Sequence, residues 1–315
     1  MRFLIAGLGS IGRRHLRNLL ALGERDIVLC RTGKSTLPDD ELQGFEAETD
    51  LTAALNHKPD AVIVANPTAF HLEVAVPAAE AGCHLLIEKP VSHSLEGIDR
   101  LNKAVERTGV RVLVGYQFRF HPGLMAIHHW LREGRIGRPI YARAHWGEYL
   151  PDWHPWEDYR KSYAARLEMG GGVALTLSHP IDYLRWLMGE AELSWRWTGR
   201  LGNLELEVDD TAEFWLDFNS GAKASVHLDY LQQPPDHHLM IIGTHGSCKW
   251  DDSRGISRMF DQKLNRSESY EPKSGFERNE LFLDEMKHFI RVVEGEEDPM
   301  CSLYDGITLL RLLMS

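Results

Sequence analysis

Phe3-Leu4-Ile5-Ala6-Gly7-Leu8-Gly9-Ser10-Ile11-Gly12-Arg13-Arg14-His15-Leu16 is the stretch that decides the fold. Phe3 to Ala6 has the length and composition of a fully buried parallel strand, and it stops at Gly7. Gly7, Gly9 and Gly12 stand at Gly-x-Gly-x-x-Gly spacing. The first glycine permits a tight turn, the second lets the backbone approach a pyrophosphate, and the third lets the next helix pack against the strand. That helix begins near Ile11, with Leu16, Leu19 and Leu20 at helical spacing and Gly23 at the position of a left-handed cap. The free N–H groups of its first turn, at Ser10 and Ile11, then face the phosphates. A second strand, Asp26 to Cys30, follows on schedule. With strand, turn, helix and strand in order, the glycines read as dinucleotide-binding.

The end of the second strand selects the dinucleotide. A carboxylate there would accept the ribose hydroxyl of NAD, whereas cationic and hydroxyl groups suit the extra phosphate of NADP. The chain has Cys30-Arg31-Thr32-Gly33-Lys34-Ser35 and no acidic residue until Asp39. NADP(H) is therefore expected over NAD(H), with Arg31 as the main phosphate contact and Thr32, Lys34 and Ser35 assisting.

The 315 residues, 43% hydrophobic and 26% charged, suit a globular chain long enough for two domains. A formal net charge of -11 argues against a general nucleic-acid or anionic-membrane binder. No apolar run approaches bilayer length and the chain starts directly on a core strand, so the cytoplasm is the expected compartment. Cys30, Cys83, Cys248 and Cys301 are scattered and read as reduced thiols. The pairs His128/His129 and His237/His238 lack helical ligand spacing and read as surface residues, and no metal site is expected.

Apolar strands at Ala61 to Ala65, Leu85 to Ile87 and Val110 to Val114 alternate with helices near residues 51–57, 70–81 and 94–107. Over about 120 residues this is the pattern of a doubly wound parallel sheet. Pro38 to Thr49 reads as a polar loop, with room for a short helix. A helix around Leu124, Ile127 and Leu131 follows, and then alternation takes over at Ile140 to Trp146, Trp195 to Thr198, Thr211 to Phe218, Ala222 to Tyr230, Met240 to Gly243 and Ser247 to Asp251. A mainly antiparallel open sheet is expected, covered on one face by helices at Val173 to Met188, Arg278 to Glu294 and Leu303 to Met314. Asn265 to Ser274 reads as a mobile loop.

Glu88-Lys89-Pro90 follows a buried strand, which delivers Lys89 to the sheet edge where a nicotinamide should lie. An oxidised, positively charged nicotinamide would lower the lysine pKa and fit it for proton exchange with a hydroxyl. If Gly170-Gly171-Gly172 opens a helix, His179, Asp182, Tyr183 and Trp186 share one face and Asp182 can orient the imidazole. Pro180 disturbs the helix there and aims His179 out of the regular path. Residues 149–163 are rich in aromatics, and a loop of this composition suits a sugar. Trp153 would stack on C–H surfaces, while His154, Arg160 and Lys161 pair with hydroxyls or an anionic group. Arg119 and Arg166 are further candidates for an anion, and an Ω-loop packing on its own aromatics stays open as the alternative.

Taken together, the Gly7 to Gly12 fingerprint, Asn66-Pro67-Thr68 with His71, Gly82-x-His84 and Glu88-Lys89-Pro90 resemble the Gfo/Idh/MocA oxidoreductases, the glucose-fructose oxidoreductase and inositol dehydrogenase group. Residues 115–122, Gly170-Gly171-Gly172 with His179 and Asp182, and Asp209-Asp210-Thr211-Ala212 extend the resemblance over nearly the whole chain. It implies a Rossmann domain over residues 1–120 and a substrate-binding, oligomerising α+β domain over 121–315, whose final helix can return to the first. It also implies NAD(P)-linked oxidation or reduction of a sugar-like hydroxyl, a cis Lys89-Pro90 peptide, and Lys89 and His179 as the catalytic pair. Asn66, Pro67, His71, Glu88, Pro90 and Arg119 would line the cofactor side. Trp153, His154, Arg160, Tyr163, Arg166 and Asp182 would join the catalytic pair on the substrate side, and dimers or tetramers would form through the open sheet. Many members carry an aspartate four residues before the histidine; here Leu175 stands there, beside Thr176, and Tyr163 is the candidate substitute. A dinucleotide-binding sensor without turnover, and a redox-neutral enzyme acting on glycosidic bonds with retained cofactor, are the alternatives.

Overall fold

β1 (Phe3–Ala6) is buried along its whole length, as a strand covered on both faces by helices must be. α1 (Ser10–Ala21), β2 (Ile27–Cys30), β3 (Glu46–Glu48), α2 (Leu51–Asn56), β4 (Ala61–Val64), α3 (His71–Glu80), β5 (His84–Glu88), α4 (Ile98–Thr108) and β6 (Val112–Gly115) follow. The computed structural model describes residues 1–33 and 37–315. All strand neighbours in the order β3-β2-β1-β4-β5-β6 are parallel. This is the doubly wound Rossmann order, in which the winding reverses between β1 and β4. Ala61 to Val64 and Leu85 to Ile87 have no solvent exposure, and burying each larger aliphatic side chain is worth about 1.5–3 kcal/mol. Two local expectations differ. Residues 46–48, read as loop, form an edge strand whose Glu-Ala-Glu composition carries no apolar signal, because an edge needs only one paired neighbour. α4 starts after a left-handed Gly97, without a side-chain cap, rather than at Ser94.

The next stretch builds a second sheet. α5 (Pro122–Arg132) and β7 (Pro139–Gly147) lead into the aromatic segment, which is carried by short 3-10 turns. α6 (Val173–Thr176), α7 (His179–Met188), β8 (Ala191–Gly199), β9 (Thr211–Phe218), β10 (Lys223–Asp229), β11 (Asp236–Gly243), β12 (Gly246–Asp251), β13 (Ile256–Asp261) and β14 (Arg266–Tyr270) complete it. The order is β14-β13-β12-β11-β7-β10-β9-β8, antiparallel except for β7 beside β10. Its inner face buries Ala142, Ala144, Trp146, Phe214, Leu216, Val226, Leu239, Ile241 and Trp250, while Trp195, Trp197, Trp215, Ile242 and Phe260 are exposed. The single helix expected over 173–188 is broken at Leu177 and Ser178, since Pro180 cannot donate in a continuous helix but fits the first turn of a new one. The expected mobile loop at 265–274 instead contains β14, a polar edge strand that pairs with β13.

Two compact units emerge: residues 1–116 with 278–314, and residues 117–277 with Ser315. α8 (Asn279–Glu294) and α9 (Leu303–Met314) both group with the first unit, whereas the sequence reading returned only the final helix. Within that unit Asn279 donates to Asn18 at 3.0 Å, the Arg14 guanidinium lies 4.4 Å from the Phe282 ring centre, and the Val114 N–H donates to the Cys301 carbonyl at 2.9 Å. Among the described residues, no helix is long and apolar enough to cross a membrane.

Candidate active site

In the first unit, sterics explain the glycine turn. A Cβ on Gly7, whose φ is +94°, would lie 2.4 Å from the Asn66 nitrogen, and one on Gly12 would lie 1.9 Å from the Gly7 carbonyl oxygen. Gly9 has nothing within 4 Å of its missing Cβ. Two glycines are thus demanded by the packing of the turn, and the third keeps open the space in front of it. The first backbone bond of α1 runs from the Arg13 N–H to the Gly9 carbonyl at 3.0 Å, so the N–H groups of Ser10, Ile11 and Gly12 precede the helical ladder. No side chain caps this end and no acidic residue lies in its first turn. Open space, uncapped donors and the absence of a competing carboxylate fit a dinucleotide diphosphate.

Arg13, 1% exposed, holds the neighbouring loop in place. Its guanidinium donates to the carbonyls of Leu8, Leu37 and Pro38 and to the carboxylates of Asp39 and Glu41. Arg31, the expected NADP contact, donates to Asp39 at 2.6 Å, a bond that holds the Asp39 carboxyl below its ordinary pKa. Asp39, eight residues further on, is therefore folded back onto the position expected to be free of acid. Thr32 is exposed; Lys34 and Ser35 lie outside the described residues.

Gly7, Asn66 and Lys89 follow β1, β4 and β5, parallel strands that end at one edge of the sheet. The Lys89-Pro90 peptide is cis, as the family resemblance implied. His71 is buried and bridges the segments: its Nε2 lies 2.9 Å from the Asn66 carbonyl oxygen and its Nδ1 3.0 Å from that of Pro90. Glu88 points back toward α1, where His15 Nε2 meets it at 2.7 Å. Burial pushes the Glu88 carboxyl up, but the His15 hydrogen bond and the charges of His15, Lys89 and His71 together hold it below its ordinary value. Lys89 itself is half-buried.

In the second unit, the helix break makes His179 the first residue of α7. It is 4% exposed and sits among aromatic rings, with centroids 4.9 Å from Phe118 and 5.4 Å from Trp146. Asp182, expected to orient His179, is gripped by Arg119, whose Nε and Nη2 donate at 3.0 and 2.7 Å. With both side chains almost fully buried, the positive charge of Arg119 is met inside this unit. The other expected anion contacts are also paired: Arg160 with Asp158 and Glu205, and Arg166 with Glu168. Tyr163 opens a short turn and is half-buried. Thr176, the neighbour of Leu175, hydrogen-bonds the Gly172 carbonyl and the Tyr230 hydroxyl. The Trp153 ring meets Tyr230 edge-on at 5.6 Å and His154 meets Trp156 at 5.0 Å, so the segment packs partly on its own aromatics.

Behind Trp146 lies a polar network that sequence reading missed. His237, expected on the surface, is 9% exposed and stacks on Trp146 at 3.8 Å. Its ring nitrogens lie 3.0 Å from Glu148 Oε1 and 3.0 Å from Asp252 Oδ2, and Trp146 Nε1 donates to Glu148 at 3.1 Å. His121 accepts from the Gly123 N–H through Nδ1, leaving its Nε2 to face Asp252 at 3.4 Å. The misreading has a simple origin: His237 pairs in register with Trp146 and so shares its inward face, whereas its neighbour His238 points to the opposite side. His128, also read as surface, lies flat on Trp186 at 4.4 Å and is half-buried.

Comparison with known proteins agrees with this architecture. Residues 1–116 match the model of the oxidoreductase family with an NAD-binding Rossmann fold, and residues 124–249 match the GFO/IDH/MocA C-terminal domain. The chain is similar to the scyllo-inositol 2-dehydrogenase (NAD(+)) of Bacillus subtilis, with 27% identity over 97% of this chain and 90% of that protein. It is 30% identical to the uncharacterised oxidoreductase YrbE of the same organism, over 79% of this chain and 73% of that one. The solved structure of levoglucosan dehydrogenase in complex with NADH superposes with a TM-score of 0.86 at 20% identity, covering 98% of this chain and 94% of that chain. From the paired family models and the YrbE match, this chain belongs to the Gfo/Idh/MocA family of oxidoreductases, whose N-terminal domain is an NAD-binding Rossmann fold.

Proposed function

We propose that this protein interconverts a hydroxyl and a keto group on an uncharged sugar or polyol, with Lys89 and His179 sharing the acid–base work. The observation that supports the chemistry most directly is the common sheet edge holding the uncapped glycine turn, Asn66 and Lys89. The nicotinamide, when bound, supplies the hydride acceptor or donor. Gly7, Gly9, Ser10, Ile11 and Gly12 would hold its diphosphate, with Asn66, Pro67, His71, Glu88 and Pro90 lining the approach to Lys89.

In oxidation, the hydroxyl proton passes to Lys89 or His179 as hydride leaves the carbon; reduction reverses both transfers. His71 and Glu88 fix the segments on either side of Lys89, so its amino group arrives without reorganisation. Trp153, His154 and Tyr163 would contact the sugar. The preference for an uncharged substrate rests on the arginines: Arg119, Arg160 and Arg166 each already face a carboxylate. An anionic group would have to displace one of those partners.

NADP(H) remains the proposed cofactor, with Arg31 exchanging Asp39 for the ribose phosphate. A homodimer or homotetramer through the open sheet is proposed from the exposed Trp195, Trp197, Trp215, Ile242 and Phe260, and a cytoplasmic location from the chain's free cysteines. The test is nicotinamide absorbance with NADPH and NADH across neutral sugars, inositols, sugar acids and their keto forms, with Lys89→Ala and His179→Ala alongside. Turnover on a neutral compound, lost in both variants, is expected. Turnover confined to sugar acids would overturn the substrate class; full activity in either variant would remove that residue from the pair.

A further inference from the structure

On the outer face of the eight-stranded sheet, strand register brings three imidazoles into a row. His227 of β10 stands opposite His145 of β7, which stands opposite His238 of β11. The rings are stacked, with centroids 4.8 and 5.0 Å apart and planes inclined by 11° and 5°. Asp229, two residues beyond His227 and so on the same face, places its Oδ2 3.0 Å from His227 Nε2. Its Oδ1 is fixed by the N–H groups of Leu231 and Gln232 at 2.7 and 2.6 Å. On the far side of the ring, His227 Nδ1 meets Glu213 Oε1 at 2.6 Å. One ring nitrogen from each of His145 and His227 and a carboxylate oxygen of Asp229 lie within 4.8 Å of one another.

Two independent features show that this corner is shaped for a ligand. His145 Nε2 is buried and has no hydrogen-bond partner among the described residues, an arrangement that is costly when nothing answers it. Gly147 stands opposite Asp229 in register, and a Cβ there would lie 2.5 Å from Gln232 Cβ and 2.6 Å from Asp229 Oδ2. The absent side chain is thus what lets Gln232 and the Asp229 carboxylate sit where they do.

We propose that His145, His227 and Asp229 form a site for a divalent transition-metal ion, best suited to Zn²⁺. Two imidazoles and one carboxylate make a common borderline-soft donor set, with bonds of about 2.0–2.2 Å to zinc and a fourth position left for water. Binding requires the His145 and His227 rings to turn out of their present stack so that their in-plane lone pairs converge on the ion. Glu213 acts from behind: by accepting from Nδ1–H it sets Nε2 of His227 as the ligand atom and fixes the ring plane. The ion replaces the proton now shared by His227 Nε2 and Asp229, so binding releases a proton and strengthens as pH rises.

The experiment is calorimetric titration of the metal-stripped full chain with Zn²⁺, repeated with Co²⁺ for its visible absorption, and thermal melts with and without Zn²⁺. One tight equivalent per chain, a Zn²⁺-dependent rise in Tm and a tetrahedral-type Co²⁺ spectrum are expected. His145→Asn and Asp229→Asn should each weaken binding at least about tenfold, and Glu213→Gln about tenfold through His227. His238→Gln, which removes a stacked ring but no ligand, should leave affinity unchanged. His145→Asn alters a half-buried ring on the outer face, and its circular dichroism reports whether the fold is retained. Absence of stoichiometric Zn²⁺ binding, or affinity unchanged in folded His145→Asn, overturns the site.

Discussion

Replacing Asp182 by Ala should be among the most damaging single changes in the second unit. The side chains of Arg119 and Asp182 are 4% and 1% exposed, so water cannot compensate either charge once the other is gone. Breaking a buried pair of this kind costs about 3–5 kcal/mol, because the surviving ion stays desolvated. With a urea dependence of about 1–3 kcal/mol per M, the unfolding midpoint should fall by at least about 1 M. The pair also joins the turn carrying Phe118 to α7, which begins at His179. kcat should therefore fall at temperatures where the variant remains folded, with a smaller change in KM. The decisive control is Arg119→Met with Asp182→Leu. Removing both charges should restore most of the stability, since the Coulombic gain of a buried pair only about offsets its desolvation. If Asp182→Ala cost less than about 1 kcal/mol, or if the double variant lost the sum of the two single losses, the pair would not be the coupled buried element described.

The glycines give a paired test by equilibrium cofactor titration. Gly9→Ala enters open space and should retain wild-type stability while weakening cofactor binding at least about tenfold through loss of backbone approach; Gly12→Ala meets the Gly7 carbonyl and should lose both. Asp39→Asn frees Arg31 from its ion pair and should raise the NADPH-over-NADH preference by about three- to tenfold, one charge contact at a partly exposed site being worth about 1 kcal/mol; no shift would detach Arg31 from phosphate recognition. pH should act from both sides through the His121–Asp252–His237–Glu148 network. Burial pushes the Asp252 carboxyl up, yet hydrogen bonds and charge from His121 and His237 hold it well below its ordinary 3.8, so its contribution is present above that value and lost as pH falls beneath it. Burial pushes His237 down, but Asp252 and Glu148 raise it above its ordinary 6.5; its contribution is full below 6.5 and fades as pH climbs through the raised value. Denaturant midpoints should peak between these limits, and His237→Gln should flatten the alkaline limb.

What was legible in the sequence is what chain neighbours decide. The glycine turn, α1 and the buried strands each declare themselves within a few residues, because three glycine positions and an apolar run suffice to specify them. The pairing of Arg119 with Asp182 joins residues 63 apart in sequence, and no periodicity relates them. Asp39 returning to Arg31 is equally silent, since a loop's path is set by the carbonyls that Arg13 collects, including those of Leu37 and Pro38. His237 and His238 show the limit most plainly: adjacent residues on one strand, one buried against Trp146 and the other among surface imidazoles. Which of the two turns inward depends on the register of β11 against β7. The polar strand β14 gives no apolar alternation, and its place is fixed by β13 alone.

The break between α6 and α7 changes how the substrate half of the chemistry can be understood. In one continuous helix His179 would occupy a mid-helix position with its surroundings neutralised by the backbone ladder. As the first residue of α7 it stands at the N-terminal end of the helix, where the aligned peptide dipoles give a partial positive charge. On the role proposed for His179, that field would favour negative charge developing on a substrate oxygen. Asp182 lies in the same first turn, and its own negative charge would oppose that effect if it stood alone. Arg119 cancels it at hydrogen-bond distance, and does so without leaving a free cation to attract anionic substrates. On the roles proposed above, the same pair would keep the helix end electrostatically favourable to an alkoxide without adding a net charge, the combination that suits an uncharged alcohol.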